Sequence, residues 1–160
     1  MAVEFIINEN GLLEKAKLTD ESNIVIPDGV RNIGDGEFCE PVTLVELIIP
    51  KDVTGIGDSA FACCDLLSKV TIPDGVTVIG DKAFYDCYSL TEVIIPETVV
   101  KIGSYAFAEC NQLAKTKLPE SVKHIGERAF GWCESLIISA PSGSYAEQYA
   151  VNNDINFEAI

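Results

Sequence analysis

Apolar residues in this chain recur mostly at every third position and then at every second, and the whole pattern returns after 23 residues. One unit can be read from Pro73 to Ile95 as Pro-x-x-Val-x-x-Ile-Gly-Asp-x-Ala-Phe-x-x-Cys-x-x-Leu-x-x-Val-x-Ile. Its period-2 end, Val93-Ile94-Ile95, predicts a short strand. Pro96 has no N–H for a sheet ladder and ends that strand. Ile79-Gly80 predicts a tight corner, with Gly taking a φ that a side chain would resist. Asp81 predicts an N-cap for a short helical turn through Ala83, Phe84 and Cys87. Asp35, Asp58, Ser104 and Glu127 hold that phase in the other units, and acids suit the positive end of a helix.

The step of 23 is kept without a gap. It relates Pro27, Pro50, Pro73, Pro96 and Pro119, and likewise Val30 to Val122, Ile33 to Ile125, Phe38 to Phe130 and Leu44 to Leu136. A Gly follows each of those isoleucines. One such unit cannot bury its own apolar face, so the units must stack. The expected fold is therefore an α/β, right-handed leucine-rich-repeat solenoid. A parallel β-sheet forms one face and short helical turns the other, with strands about 4.8 Å apart. Five repeats span 24–141. Residues 1–23 lack the frame and predict a capping hairpin from Phe5-Ile6-Ile7, Asn10-Gly11 and Leu12-Leu13. Residues 142–160 predict a C-terminal cap: Ser144-Tyr145-Ala146-Glu147 fits a capping box opening a helix to about Val151, and Ile155-Asn156-Phe157 adds a closing strand. Both sheet edges would then be covered. The whole is one continuous domain.

Composition narrows the function. The formal net charge is −14, and the 11 basic residues form no run, so nucleic acid and anionic lipid surfaces are not expected partners. No segment approaches a membrane span, so no membrane insertion is expected. The N-terminal Met-Ala-Val-Glu-Phe-Ile-Ile-Asn-Glu-Asn is acidic with a short apolar run, unlike a secretory signal. The sequence as given predicts a cytoplasmic location. A signal lost upstream would make it a cell-surface or secreted protein.

The stretch Pro-Asp-Gly-Val-Thr-Val-Ile-Gly-Asp-Lys-Ala-Phe-Tyr-Asp-Cys-Tyr-Ser-Leu-Thr-Glu-Val-Ile-Ile-Pro (73–96) resembles the BspA-like leucine-rich repeat family. The resemblance covers about 24–141 in repeat form, and Gly-Ser-Tyr-Ala-Glu-Gln-Tyr-Ala (143–150) is similar to that family's ends. It implies a non-catalytic binding module of bacteria and some protists, often at cell surfaces, with adhesins among its members. It implies no shared ligand residues.

Cys64, Cys87, Cys110 and Cys133 share one phase, where Pro41 stands in the first unit. A line of one thiol per turn does not converge on a metal, and a column of small buried thiols is the plainer reading. Cys39 and Cys63 sit in other phases and are read as partly exposed. His124, the single histidine, lies in a variable phase and is read as surface. The many acids fall in cap or loop phases without an implied cleft. Gly75 and Gly80 lack the Lys of a phosphate loop. An enzyme would need a pocket hidden where the frame breaks at the C-terminal end. No catalytic residue, metal or cofactor is expected.

The strand face is the most informative surface. Alternation turns Val25, Ile48, Thr71, Ile94 and Lys117 to solvent. Two positions earlier, Glu46, Lys69, Glu92 and Lys115 alternate in sign and predict a cross-strand charge ladder. An exposed apolar stripe flanked by charge predicts a protein interface, on a chain expected to be a monomer. Tyr85, Tyr88, Tyr105 and Trp132 form a second candidate surface on the opposite side, suited to sugar or protein.

Overall fold

A computed structural model of the chain describes residues 4–17, 23–38 and 43–160. Cys39 and Pro41 lie outside them. The strands in chain order are β1 (Glu4–Ile7), β2 (Leu12–Lys17), β3 (Asn23–Val25), β4 (Asn32–Ile33), β5 (Glu46–Ile48), β6 (Gly55–Ile56) and β7 (Lys69–Thr71). They continue with β8 (Val78–Ile79), β9 (Glu92–Ile94), β10 (Lys101–Ile102), β11 (Lys115–Lys117), β12 (His124–Ile125) and β13 (Ile137–Ala140). Helix α1 (Tyr145–Asn152) and β14 (Asn156–Ala159) follow. The described residues form a parallel-strand β-solenoid of about six turns with one short helix among them.

The sequence predicts one sheet; the described residues form two. The first runs β1-β2-β4-β6-β8-β10-β12 and the second β14-β13-β11-β9-β7-β5-β3. Each unit contributes a strand of three residues, four in the last, to the second sheet and a two-residue strand, ending on the repeat isoleucine, to the first. β1 and β2 pair antiparallel, while β2 pairs parallel with β4 and extends the stack ahead of the repeat frame.

The short helical turns do not form. Among the described residues α1 is the only helix. The segment after each repeat glycine instead donates its N–H groups to the following rung. Lys82, Phe84 and Asp86 donate to the carbonyls of Ser104, Ala106 and Ala108, at 2.8, 2.8 and 2.9 Å. The same bonds join Tyr105, Phe107 and Glu109 to Glu127, Ala129 and Gly131. The acids read as N-caps serve this stack. Asp35 Oδ1 accepts from the Asp58 N–H at 2.9 Å, Asp58 from Asp81 at 2.8 Å, and Asp81 from Ser104 at 2.8 Å. Each carboxylate therefore satisfies a donor one rung away rather than one in its own turn.

The repeat glycine also differs from its expected role. Gly103 is not in the left-handed region; a Cβ there would lie 2.5 Å from the backbone of Asp81 and of Gly80. The column of glycines lets successive rungs approach. The positive φ values fall on Ser59, Lys82, Tyr105 and Arg128, in the phase where the first unit has Gly36, and again on Cys63, Asp86, Glu109 and Trp132.

The core is a set of columns. Phe38, Phe61, Phe84, Phe107 and Phe130 stack with centroids 4.9–5.3 Å apart, close to the strand spacing. Each ring is buried, worth about 1.5–3 kcal/mol before entropy is counted. The thiols of Cys64, Cys87, Cys110 and Cys133 are free and buried, and each donates to the Phe carbonyl 26 residues earlier at 3.2–3.4 Å. Burial pushes the Cys133 thiol up to about 12. Cys63 is exposed, as read from the sequence.

At the C-terminal end, the Ser144 hydroxyl accepts from the Glu147 N–H at 3.2 Å, and the Glu147 carboxylate takes the Gly143 N–H. The capping box thus opens α1 where the sequence placed it. Tyr149 of α1 meets Phe130 edge-on at 6.2 Å and its hydroxyl accepts the Phe130 N–H at 3.3 Å. Strand β14 pairs parallel with β13 and starts one residue later than expected.

Candidate functional site

Strand alternation fixes the surface of the second sheet. Ile24, Leu47, Val70, Val93 and Thr116 point inward and are buried. Their neighbours point outward: Val25, Ile48 and Ile94 are 62%, 51% and 63% exposed, and Thr71 and Lys117 are exposed beside them. Register sets Val25 against Ile48, Ile48 against Thr71 and Ile94 against Lys117 on adjacent strands. The predicted stripe is thus brought together on one face.

The charge row forms only in part. Lys69 pairs with Glu46 at 3.2 Å, both well exposed. Lys115 is registered against Glu92, but its ammonium goes to Glu158 on β14, at 2.9 Å. The Ser139 hydroxyl donates to the same carboxylate at 3.0 Å. The Lys115 hydrogen bond, then that of Ser139, holds the Glu158 carboxyl below the ordinary range. The sequence reading ends the closing strand at Phe157 and so omits Glu158, the next residue, which alternation places on the outward face beside Asn156.

A groove of about 510 Å³ opens on this face, lined by Lys69, Thr71, Asp74, Glu92, Ile94 and Pro96 among others. It lies where the sheet ladder lapses: β7 and β9 register only at Lys69 and Glu92, whereas β5/β7 and β9/β11 pair through three residues.

The aromatics divide. Tyr105 and Trp132 stack at 6.4 Å, with the Arg128 guanidinium 5.3 Å from the Trp132 centroid. Tyr85 lies under Lys82 at 6.0 Å, and Tyr88 stands half-exposed. Trp132 also lines a cavity of about 390 Å³ with Arg128, Glu134, Tyr149, Asn153 and Asp154, at the break in the repeat frame. Burial raises the Tyr149 phenol, partly offset by the hydrogen bond from Phe130.

His124 is exposed and registered beside Lys101. Among the described residues no group of three or more His, Cys, Asp or Glu is placed to hold a metal ion. No helix among them is long and apolar enough to cross a membrane.

The sequence model of the BspA type leucine-rich repeat region matches residues 13–137, in six copies. Among curated proteins, none matches the chain. Solved structures do. The T. pallidum leucine-rich repeat protein TpLRR is 30% identical, with 86% of this chain and 68% of that one covered and a TM-score of 0.76. A leucine-rich cell surface protein of Faecalibacterium prausnitzii is 29% identical, with 99% of this chain covered and a TM-score of 0.80. The chain spans only 42% of that protein. The pneumococcal vaccine antigen PcpA is 28% identical over 76% of this chain and 31% of its own, with a TM-score of 0.68.

Proposed function

Since the chain belongs to the BspA-type leucine-rich repeat family, we propose that it is a non-catalytic protein-interaction module that binds through the exposed face of its second sheet. One observation carries the reading. The column Val25, Ile48, Ile94 leaves large apolar side chains in water on adjoining strands of one face, beside a groove. Exposed apolar groups rimmed by Glu46, Lys69 and Glu92 have the make-up of an interface: an apolar centre with a charged border. A β-branched residue suits a strand at any exposed position, so the fold alone does not require apolarity in this column.

A second reading, a surface adhesin for host matrix protein or carbohydrate, is favoured by the similarity to a cell surface protein of F. prausnitzii. It shares the fold and differs in compartment and prey.

The test is affinity capture with mass spectrometry, comparing the wild-type chain with an Ile48→Glu/Ile94→Glu variant whose circular dichroism is unchanged. Prey are offered as source-cell lysate and, separately, extracellular-matrix proteins. Retention of a protein by wild type and its loss, at least tenfold, from the variant is the expected result, and the prey pool distinguishes the two readings. Equal retention by both baits overturns the strand-face assignment.

A further inference from the structure

The charges of the strand face are shared unevenly. Glu46, Lys69, Glu92 and Lys115 stand in one row on adjacent strands, so each lysine has Glu92 as a registered neighbour. Both turn away from it. Lys69 pairs with Glu46 at 3.2 Å, and Lys115 with Glu158 at 2.9 Å. Glu92 thus stands between two lysines and forms no ion pair among the described residues. Asp74 lines the same groove and forms none either. Lys51, one rung before Asp74, and Lys117, registered beside Ile94, lie outside the lining.

The two carboxylates border open space. The groove of about 510 Å³ lies where β7 and β9 register only at Lys69 and Glu92. Apolar groups share its lining: Ile94, 63% exposed, and Pro96. A side chain that fills it must bring a cation to Glu92 and Asp74 and an apolar stem to Ile94 and Pro96. Arginine brings both. Its methylenes supply the stem, and its planar fork can take two carboxylate oxygens while giving up less hydration than an ammonium. Ile48 and Ile94 stand two strands apart, about 9.6 Å, which three residues of a partner chain can span. A net charge of −14 draws a basic segment toward the face as a whole.

Resting on the strand-face reading above, we propose that this groove takes an arginine side chain of a partner protein, with apolar residues on either side of that arginine covering Ile48 and Ile94.

The probe is the peptide acetyl-Ser-Ile-Arg-Leu-Ser-amide, compared with the same peptide carrying citrulline, which keeps the shape of arginine without its charge. Each is titrated into the full chain and followed by 15N–1H spectra. The arginine peptide is expected to shift the Thr71, Glu92 and Ile94 amides saturably and to bind about fivefold tighter than the citrulline peptide, as one charge-assisted contact would give. Glu92→Gln should abolish that preference and Asp74→Asn should reduce it. Glu134→Gln removes the same charge away from the groove and should leave it intact, which separates the groove from the field of the whole molecule. Each of these side chains is exposed, and each variant is scored with unchanged circular dichroism. Equal binding of the two peptides, a preference that survives both groove variants, or one lost equally with Glu134→Gln overturns the proposal. So does the absence of saturable shifts, or shifts that appear with protein concentration alone, which make a second copy the occupant. Equal binding that still moves the Thr71 and Ile94 amides removes the arginine and keeps the strand face as an interface. The wider reading falls only to its own capture experiment.

Discussion

Lys82 holds φ at +57°, a region where a Cβ crowds the carbonyl that follows it. Its N–H bond to Ser104 at 2.8 Å and the stack around it keep it there. The first unit places Gly36 in this phase, which takes the same conformation without that crowding. Lys82→Gly is therefore expected to leave stability unchanged or raise it by up to about 1 kcal/mol, after the entropy of a freer unfolded chain is subtracted. Gly103→Ala is expected to cost about 3 kcal/mol, because its Cβ meets the backbone of Asp81 and Gly80 as well as the Asp81 carboxylate. Urea midpoints of the two variants check both. The sequence marks Gly103 by repetition but gives the wrong cause, since a close approach and a positive φ select the same residue. Nothing in Lys82, Tyr105 or Arg128 announces a left-handed backbone; Gly36 alone does.

At the scale of the element, the turn after each repeat glycine is where sequence reading and structure part. An acid before Ala-Phe is the same local signal whether its carboxylate accepts from its own turn or from the next rung, and a 23-residue offset is invisible to a pattern read within one unit. The strands were legible because alternation decides the face of each residue by geometry alone. The cysteine column was legible too, from its phase. Its thiols are buried, each gives its proton to a Phe carbonyl, and burial raises those of Cys87, Cys110 and Cys133. For Cys87 the hydrogen bond with Cys64 adds the larger share. Thiolate is the reactive form. A thiol reagent at neutral pH should modify Cys63 in the folded chain and reach Cys64, Cys87, Cys110 and Cys133 only on unfolding, with peptide mapping as the readout.

The whole molecule carries a net charge of −14, and its stability should follow pH accordingly. Burial, followed by neighbouring acids, raises the Glu37 and Asp86 carboxyls above their ordinary range. The folded state then binds these protons more tightly than the unfolded chain, so stability grows as pH falls through their folded values, and easing of self-repulsion acts in the same direction. Glu158 behaves oppositely. Its lowered pKa contributes stability above the unfolded value of 4.5, which is lost as pH falls through the folded one. The urea midpoint should rise from neutral pH to about pH 5 and decline in stronger acid, and Glu158→Gln should soften that decline. At this scale the candidate surface was half legible. The apolar stripe follows from phase, whereas the groove and the Lys115–Glu158 pair depend on where a ladder lapses and where the last strand stops. The 23-residue step has one more consequence. Each unit adds about one strand spacing, 4.8 Å, along the axis and leaves both ends as they were. Duplication or loss of a unit between the strand-face groove and the C-terminal cavity would shift their separation by one such increment and redesign neither. The molecule is a ruler whose graduations are copied in the gene, so heredity can set the distance between the groove and the cavity in whole steps.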